Sequence, residues 1–359
     1  MTSRTNNVLV TGGAGFIGRE VVRALLDDTN ARVAVMDDLS NGSRENLAAF
    51  AREPRLREFV KAPVQSEKPL RQLFEKFKPS LCLHLAAQII VQNSIDDPAA
   101  TFHADVDGTF HLLELCRAHK TSLLFMSTCM VYDTASVQGS RFKVQSSKLT
   151  SFSETRDPSP KPRSFQSEIR NPISAISENH PVLPRSPYAG AKLAGENMCI
   201  SYYHAYGMPV SVVRPFNTYG PYQKSSGEGG VVSIFLSRAL RGEPLKIYGS
   251  GEQTRDLLFV GDCAEFVLRA AAAPAAQGRI LNAGTGRDVT VNDLADMAIK
   301  TVPGSQSKIK HVKHIHPQSE IMKLCCDARL AKKVLGWKPQ TKLEKGLALT
   351  RDWLETTMR

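Results

Sequence analysis

The chain is 359 residues long and 42% hydrophobic, enough for one large or two smaller domains with a sizeable core. No apolar run reaches the ~18 residues of a membrane-spanning helix, and Met1 to Asn7 is polar without a signal-peptide core, so no membrane partner is expected and the cytoplasm is the default location. The formal net charge of +11 raises nucleic-acid binding, but the lysines dense from Lys300 to Lys345 lack interleaved aromatics and no known nucleic-acid-binding pattern appears; no nucleic-acid partner is expected, and the positive field equally suits a doubly charged diphosphate.

The first element is the β-branched run Val8-Leu9-Val10, followed by Thr11-Gly12-Gly13-Ala14-Gly15-Phe16-Ile17-Gly18 and an apolar helical face through Val21, Val22, Leu25 and Leu26. A strand, a glycine turn and a helix in this order place an anion on the free N–H groups of the helix start, with glycines for the tight turn and the close approach of a pyrophosphate. The second strand, Val33 to Met36, ends in Asp37-Asp38. An acid at that distance binds ribose hydroxyls and repels a 2′-phosphate, which favours NAD over NADP. Strands at Leu81 to Leu85 and Leu123 to Ser127 alternate with helical stretches such as Thr109 to His119. The alternation predicts an α/β fold, a doubly wound parallel sheet with helices on both faces.

Residues Thr134 to about Ser177 are rich in Ser, Pro, Lys and Arg and poor in apolar periodicity, and are expected to be a largely disordered loop. After it comes Ser186-Pro187-Tyr188-Ala189-Gly190-Ala191-Lys192. Ser-Pro reads as a helix start, and the i, i+4 spacing puts Tyr188 and Lys192 on one face. A free phenol has a pKa near ~10 and is a poor base at neutral pH; a lysine one turn away is expected to lower it. The next strand is Val210 to Val213. The seven cysteines include no C-x-x-C pair and read as reduced packing thiols, and no His/Cys/Asp cluster has metal-ligand spacing, so no metal is expected.

Further segments carry a resemblance: Asp37-Asp38-Leu39-Ser40-Asn41-Gly42, His84-Leu85-Ala86-Ala87, Ser127-Thr128-Cys129-Met130-Val131-Tyr132, Arg214-Pro215-Phe216-Asn217-Thr218-Tyr219-Gly220-Pro221, Ile247 to Asp256, Asn282-Ala283-Gly284-Thr285-Gly286 and Leu335-Gly336-Trp337-Lys338-Pro339. Over nearly its whole length the chain resembles the extended short-chain dehydrogenase/reductases that modify nucleotide-sugars. The resemblance implies a Rossmann-type NAD-binding domain over 1–213, a mainly substrate-binding smaller domain over 214–359, a nucleotide-diphosphate sugar as substrate, and a homodimer. Because members are mostly much shorter across Thr134 to Ser177, the resemblance implies an insertion there, either a lid or a tolerated surface loop. Carried over residue by residue, it assigns NAD to Gly12, Gly15, Phe16, Ile17, Gly18, Asp37, Asp38, Asn41, Gly42, Leu85, Ala86, Ala87, Ser127, Tyr188, Lys192 and Pro215. It assigns substrate to Thr128, Asn217, Val231, Tyr248, Gln253 and Arg255.

The resemblance also implies the chemistry. Tyr188, as phenolate, removes the proton from the sugar C4 hydroxyl, which Thr128 hydrogen-bonds, and Lys192 holds the nicotinamide ribose and lowers the phenol pKa. Relatives that dehydrate the 4-keto sugar carry Asp-Glu after the Thr, where this chain has Cys129-Met130. A thioether exchanges no proton in water, so 4-epimerisation leads; a catalytic Cys129 in a 4,6- or 5,6-dehydration, and a packing role for it, both stay open. An idle NAD-binding regulator is argued against by the intact Thr128, Tyr188 and Lys192. The family's Asn-x-x-Gly-Thr is here Asp105-Val106-Asp107-Gly108-Thr109, its adenine-touching acid region is Ala62-Pro63-Val64, and its late Arg-Pro-Gly-Asp is replaced by His314 to Glu320.

Overall fold

Short apolar runs of β-formers become the strands. In chain order these are β1 (Asn7–Thr11), β2 (Arg32–Asp37), β3 (Leu56–Lys61), β4 (Leu81–His84), β5 (Ser122–Met126), β6 (Val210–Pro215), β7 (Asn217–Tyr219), β8 (Leu245–Tyr248), β9 (Thr254–Phe259), β10 (Ile280–Ala283), β11 (Asp288–Thr290), β12 (Ile309–Val312) and β13 (Lys323–Leu324). The computed structural model describes residues 6–133, 175–225, 229–313 and 321–358. Seven strands form one parallel sheet in the order β10-β6-β5-β4-β1-β2-β3. Strand order reverses between β1 and β4, the switch point at which a doubly wound sheet opens a crevice at its carboxyl edge.

Both faces of this sheet are covered, which is why its strands read as continuous apolar runs. Val8, Val10, Val33, Val35, Leu83 and Leu124 point to one side, against the helices Phe16–Asp28 and Val260–Ala272. Leu9, Ala34, Met36, Cys82, Leu123 and Phe125 point to the other, against Glu67–Phe77 and Gly108–His119. Chain beyond residue 214 is shared: β10 and the helix Val260–Ala272 join the large sheet, whereas the helices Val231–Leu240, Val291–Thr301 and Leu343–Thr357 bury Phe235, Leu236, Leu294 and Leu347 in a core of their own. Smaller sheets flank that core, with β11, β13 and β7 all pairing with β9, and β12 with β8.

Two connections bear on the site. Tyr222, with φ +70°, lies just past β7; the Arg19 guanidinium sits 4.1 Å above its ring, and the Trp353 ring is 5.1 Å away. The first helix and the last are thus joined through one phenol ring. The second connection lies at the C-terminal edge of the expected insertion. Ile176 is buried, its N–H donates to the Cys325 carbonyl (2.8 Å), and its carbonyl accepts from Asp327 N (2.9 Å). One apolar residue with two satisfied backbone groups anchors that end to the fold. Residues 134–174, the rest of the predicted disordered loop, and His314 to Glu320 lie outside the described residues. Among the described residues no helix is long and apolar enough to cross a membrane, and no cluster of three His, Cys, Asp or Glu is arranged for a metal ion.

Candidate active site

The glycine turn closes because side chains are absent where backbones meet. Gly12 has φ +72°, and a Cβ on it would lie 2.7 Å from Ala86 N; a Cβ on Gly18 would lie 2.0 Å from the Gly12 carbonyl oxygen. Gly15 caps the helix Phe16–Asp28 without a side-chain bond, leaving the helix start to an outside acceptor. Asp37 is buried behind the turn, its Oδ2 accepting from Ala14 N (2.9 Å) and its Oδ1 from Leu39 N (2.8 Å). Burial raises its pKa, against the lowering effect of backbone bonds from Leu39, Ala14 and Gly15. Asp38 is exposed and accepts from Ser40 N.

A cavity of about 610 Å³ opens at the carboxyl ends of β1, β2, β4 and β5. Gly12, Gly15, Phe16, Ile17, Gly18, Asp37, Asp38, Asn41, Gly42, Leu85, Ala86, Ala87, Ser127, Thr128, Tyr188, Lys192 and Pro215 all line it, so every cofactor position expected from the sequence falls in one wall. Ser127 Oγ is buried with no hydrogen-bond partner. The side-chain-free cradle, the uncapped helix start and this orphaned hydroxyl fit a dinucleotide. Sequence reasoning missed Gln88, Ile90, Thr218 and Gln223 in the same wall, and gave Met130 no place there. Gln223 arrives on the loop after β7, where its Nε2 donates to the Thr218 carbonyl (2.9 Å) and its Oε1 accepts from Ser233 (3.0 Å).

Tyr188 and Lys192 stand one turn apart on the helix Pro187–Tyr206, which Ser186 caps through Ala189 N (3.2 Å) and Gly207 ends at φ +63°. Thr128 follows β5, and its Oγ1 accepts from Met130 N (3.2 Å). The Thr128 side chain also bonds the Tyr188 phenol, which lowers the phenol pKa. Burial is the larger influence, and with Asp105 it pushes Tyr188 above its ordinary value. This runs opposite to the effect expected of Lys192. The Lys192 ammonium is buried 4.3 Å from the Phe125 ring centre; burial lowers its pKa, while Asp105 and Glu196 raise it. Of these two carboxylates, Asp105 also raises the pKa of the phenol. Glu196 is itself held by Arg214, Nε to Oε1 at 2.8 Å and Nη2 to Oε2 at 2.5 Å.

Behind the wall, a chain of hydroxyls fixes His84. Thr109 Oγ1 donates to the Asp105 carbonyl (2.5 Å), so His84 Nε2–H donates to Thr109 Oγ1 (3.0 Å) and Nδ1 accepts from Thr11 (2.7 Å). Burial and then Lys192 press the imidazole pKa down to about 3, so the ring is neutral.

Other expected residues lie off the cavity. Cys129 is buried among Val131, Tyr132, Ile176, Phe216 and Cys326, and burial pushes its thiol up to about 12. Across the turn Cys129–Val131, Cys129 lies in packing and Met130 lines the cavity. Asn217 sits between the wall residues Phe216 and Thr218, its Oδ1 buried and unpartnered. Val231 begins its helix, and Gln253 Nε2 donates to the carbonyl of exposed Tyr248 (3.1 Å). Arg255 Nη1 donates to the Thr254 and Ile321 carbonyls (2.8 and 2.7 Å), and its charge acts on the Cys129 thiol.

A cavity of this make-up at the switch point of a doubly wound sheet defines a dinucleotide-binding enzyme. The chain belongs to the NAD dependent epimerase/dehydratase family, whose pattern matches residues 8–284, and the cofactor is NAD. It is 36% identical to the UDP-glucose 4-epimerase of Mycolicibacterium smegmatis over 95% of this chain and 96% of that one. Among solved structures, Pal from Bacillus thuringiensis is 46% identical with a TM-score of 0.83, covering 98% of this chain and 99% of Pal. The UDP-glucose 4-epimerase of Thermotoga maritima, crystallised with UDP-glucose, is 31% identical with a TM-score of 0.82, covering 98% and 100%.

Proposed function

We propose that the chain is an NAD-dependent nucleotide-sugar 4-epimerase acting through a 4-keto sugar. The observation that carries this is the pairing of Thr128, Tyr188 and Lys192 in one cavity with Met130, a side chain that moves no proton, beside Thr128. When bound, NAD supplies the hydride acceptor and a positive charge. Tyr188 Oη takes the C4 hydroxyl proton and later returns it; Thr128 Oγ1 orients that hydroxyl, and Lys192 stabilises negative charge on the phenol oxygen. Arg255, Gln253, Tyr248, Val231 and Asn217 contact the nucleotide diphosphate in this reading, which the unpartnered Asn217 Oδ1 supports, and 214–359 forms most of the substrate-binding part. Likeness to an epimerase that holds UDP-glucose supports a uridine nucleotide.

Deuterium at sugar C4 tests the reaction. An epimerase returns the label to C4, takes up no solvent deuterium at C5 and accumulates no NADH. Label at C6 with solvent deuterium at C5 refutes epimerisation in favour of dehydration. We also take the enzyme to be a cytoplasmic homodimer; exposed Ile95, Phe102 and Phe110 support a self-associating surface, and light scattering at the monomer mass would refute it.

A further inference from the structure

Asp105 stands where the family pattern has asparagine, and nothing in the reaction above uses it. It lies in a π-helical segment, His103–Asp107, a wider turn set between the helices Pro98–Phe102 and Gly108–His119. Such turns re-aim side chains and occur at functional sites. Its neighbours Ala104 and Gln88 line the cavity, so it sits one layer behind the wall. The side chain is 1% exposed; Oδ1 accepts from Gln88 N (2.7 Å), and Oδ2 is buried with no hydrogen-bond partner. A buried carboxylate oxygen without a donor costs free energy unless a positive charge answers it. Lys192 is that charge, and the Asp105 charge in turn acts on both Lys192 and Tyr188.

We propose that Asp105 is a positioning residue of the proton-transfer site: its carboxylate keeps Lys192 charged and opposes ionisation of Tyr188, so that protonation of this one side chain resets both. The inference rests on the epimerase reading only for its consequence in turnover. An asparagine keeps the Oδ1 bond to Gln88 but is neutral at every pH. Here the group titrates at about 6, raised chiefly by burial and lowered by Lys192 and the Gln88 bond. Burial raises the pKa of the nearby Cys129 and Cys199 thiols, so both stay uncharged near neutral pH. Glu196 is paired with Arg214, and His84 is neutral. His103 pairs with Asp107 at the surface, and His111 meets Glu67. Above about pH 6 the site therefore holds one ammonium and one carboxylate; below it, the ammonium stands alone and a phenolate becomes easier to form.

The test is Asp105→Asn, with Asp105→Ala as a control that also removes the acceptor for Gln88 N. In NAD-free protein, carbon-13 NMR of aspartate carboxyls should show one resonance titrating near 6 that is missing from Asp105→Asn. The Lys192 side-chain resonance, assigned with Lys192→Arg, should titrate about 1 unit or more lower in both variants, because losing a nearby opposite charge moves a pKa by about that much. In turnover of a UDP-sugar, the acid limb of kcat/KM should move to lower pH in both variants, while only Asp105→Ala lowers the melting temperature. Identical Lys192 titration in wild type and Asp105→Asn overturns the inference even if epimerisation is found. Shifted titrations in a protein that turns over no nucleotide-sugar leave Asp105 standing and reject the epimerase reading.

Discussion

Replacing Gly18 by alanine should cripple cofactor binding, and the size of the effect follows from the turn. The new Cβ would lie 2.0 Å from the Gly12 carbonyl oxygen and 2.8 Å from Gly13 Cα, all backbone contacts with no side chain to swing aside. The turn is also pinned on the far side, Gly12 N to the Met36 carbonyl (2.8 Å) and Ala14 N to Asp37 (2.9 Å). The helix start must therefore back away by about 1 Å, since overpacking of this kind is relieved only by backbone shift, at about 1–3 kcal/mol. In a chain of this size that lowers the melting temperature by several degrees. Because the same helix start receives the pyrophosphate, NAD affinity should fall at least about tenfold, or 1.4 kcal/mol. Gly190→Ala is the matched control. Nothing lies within 4 Å of its Cβ position inside the helix Pro187–Tyr206, so it should gain about 0.5–1 kcal/mol with NAD affinity intact. Differential scanning fluorimetry and calorimetric titration with NAD measure both. Wild-type stability and affinity in Gly18→Ala would refute the role given to the turn.

Tyr188→Phe should abolish turnover while NAD and substrate affinities stay within about tenfold, read by single-turnover kinetics and calorimetry; activity near wild type would remove the proposed base. Cys129→Ala should keep most of its activity, because the thiol lies in packing outside the cavity; an inactive but folded variant would put the sulfur back into the chemistry. Ile176→Ala should cost about 2–5 kcal/mol in urea unfolding, as for other fully buried aliphatic side chains, and a loss under 0.5 kcal/mol would mean the segment is not anchored there. His84, at about 3 in the folded state and 6.5 unfolded, gives stability that is full above pH 6.5 and lost as pH falls. Asp105, raised to about 6, acts in the opposite sense between about 4 and 6, so the comparison is with His84→Gln, which should flatten the decline by about 1.4 kcal/mol per pH unit at most. Parallel curves would show that the imidazole is not held neutral.

Features legible in the sequence are those set by neighbours in the chain. The glycine turn, the acid ending β2, and the Tyr188-Lys192 spacing depend on one turn or one helical repeat, and each lands in the cavity. What could not be read depends on contacts between distant segments. The short 3₁₀ turn at Cys129–Val131 decides which of two adjacent side chains reaches the cavity, and no pattern distinguishes them beforehand. The offsetting of Lys192 by Asp105 requires the π segment to lie against the helix Pro187–Tyr206, far along the chain. Ile176 is a single apolar residue beside a polar stretch, too weak a signal for an anchor. Gln223 enters the wall because the loop after β7 is turned by Tyr222, whose positive φ the sequence does not announce.

The ring of Tyr222 has a practical consequence. The chain holds two tryptophans; Trp337 is wholly buried, and Trp353 lies against that ring, next in sequence to cavity residue Gln223. Trp353 is therefore a native fluorophore in ring contact with the neighbour of a cavity residue, and a displacement of Tyr222 should change its emission without a label. The same contacts run from the helix Leu343–Thr357 through Trp353 and Tyr222 to Arg19, one residue past the glycine turn, so that the chain's final helix and its nucleotide turn share one aromatic bridge.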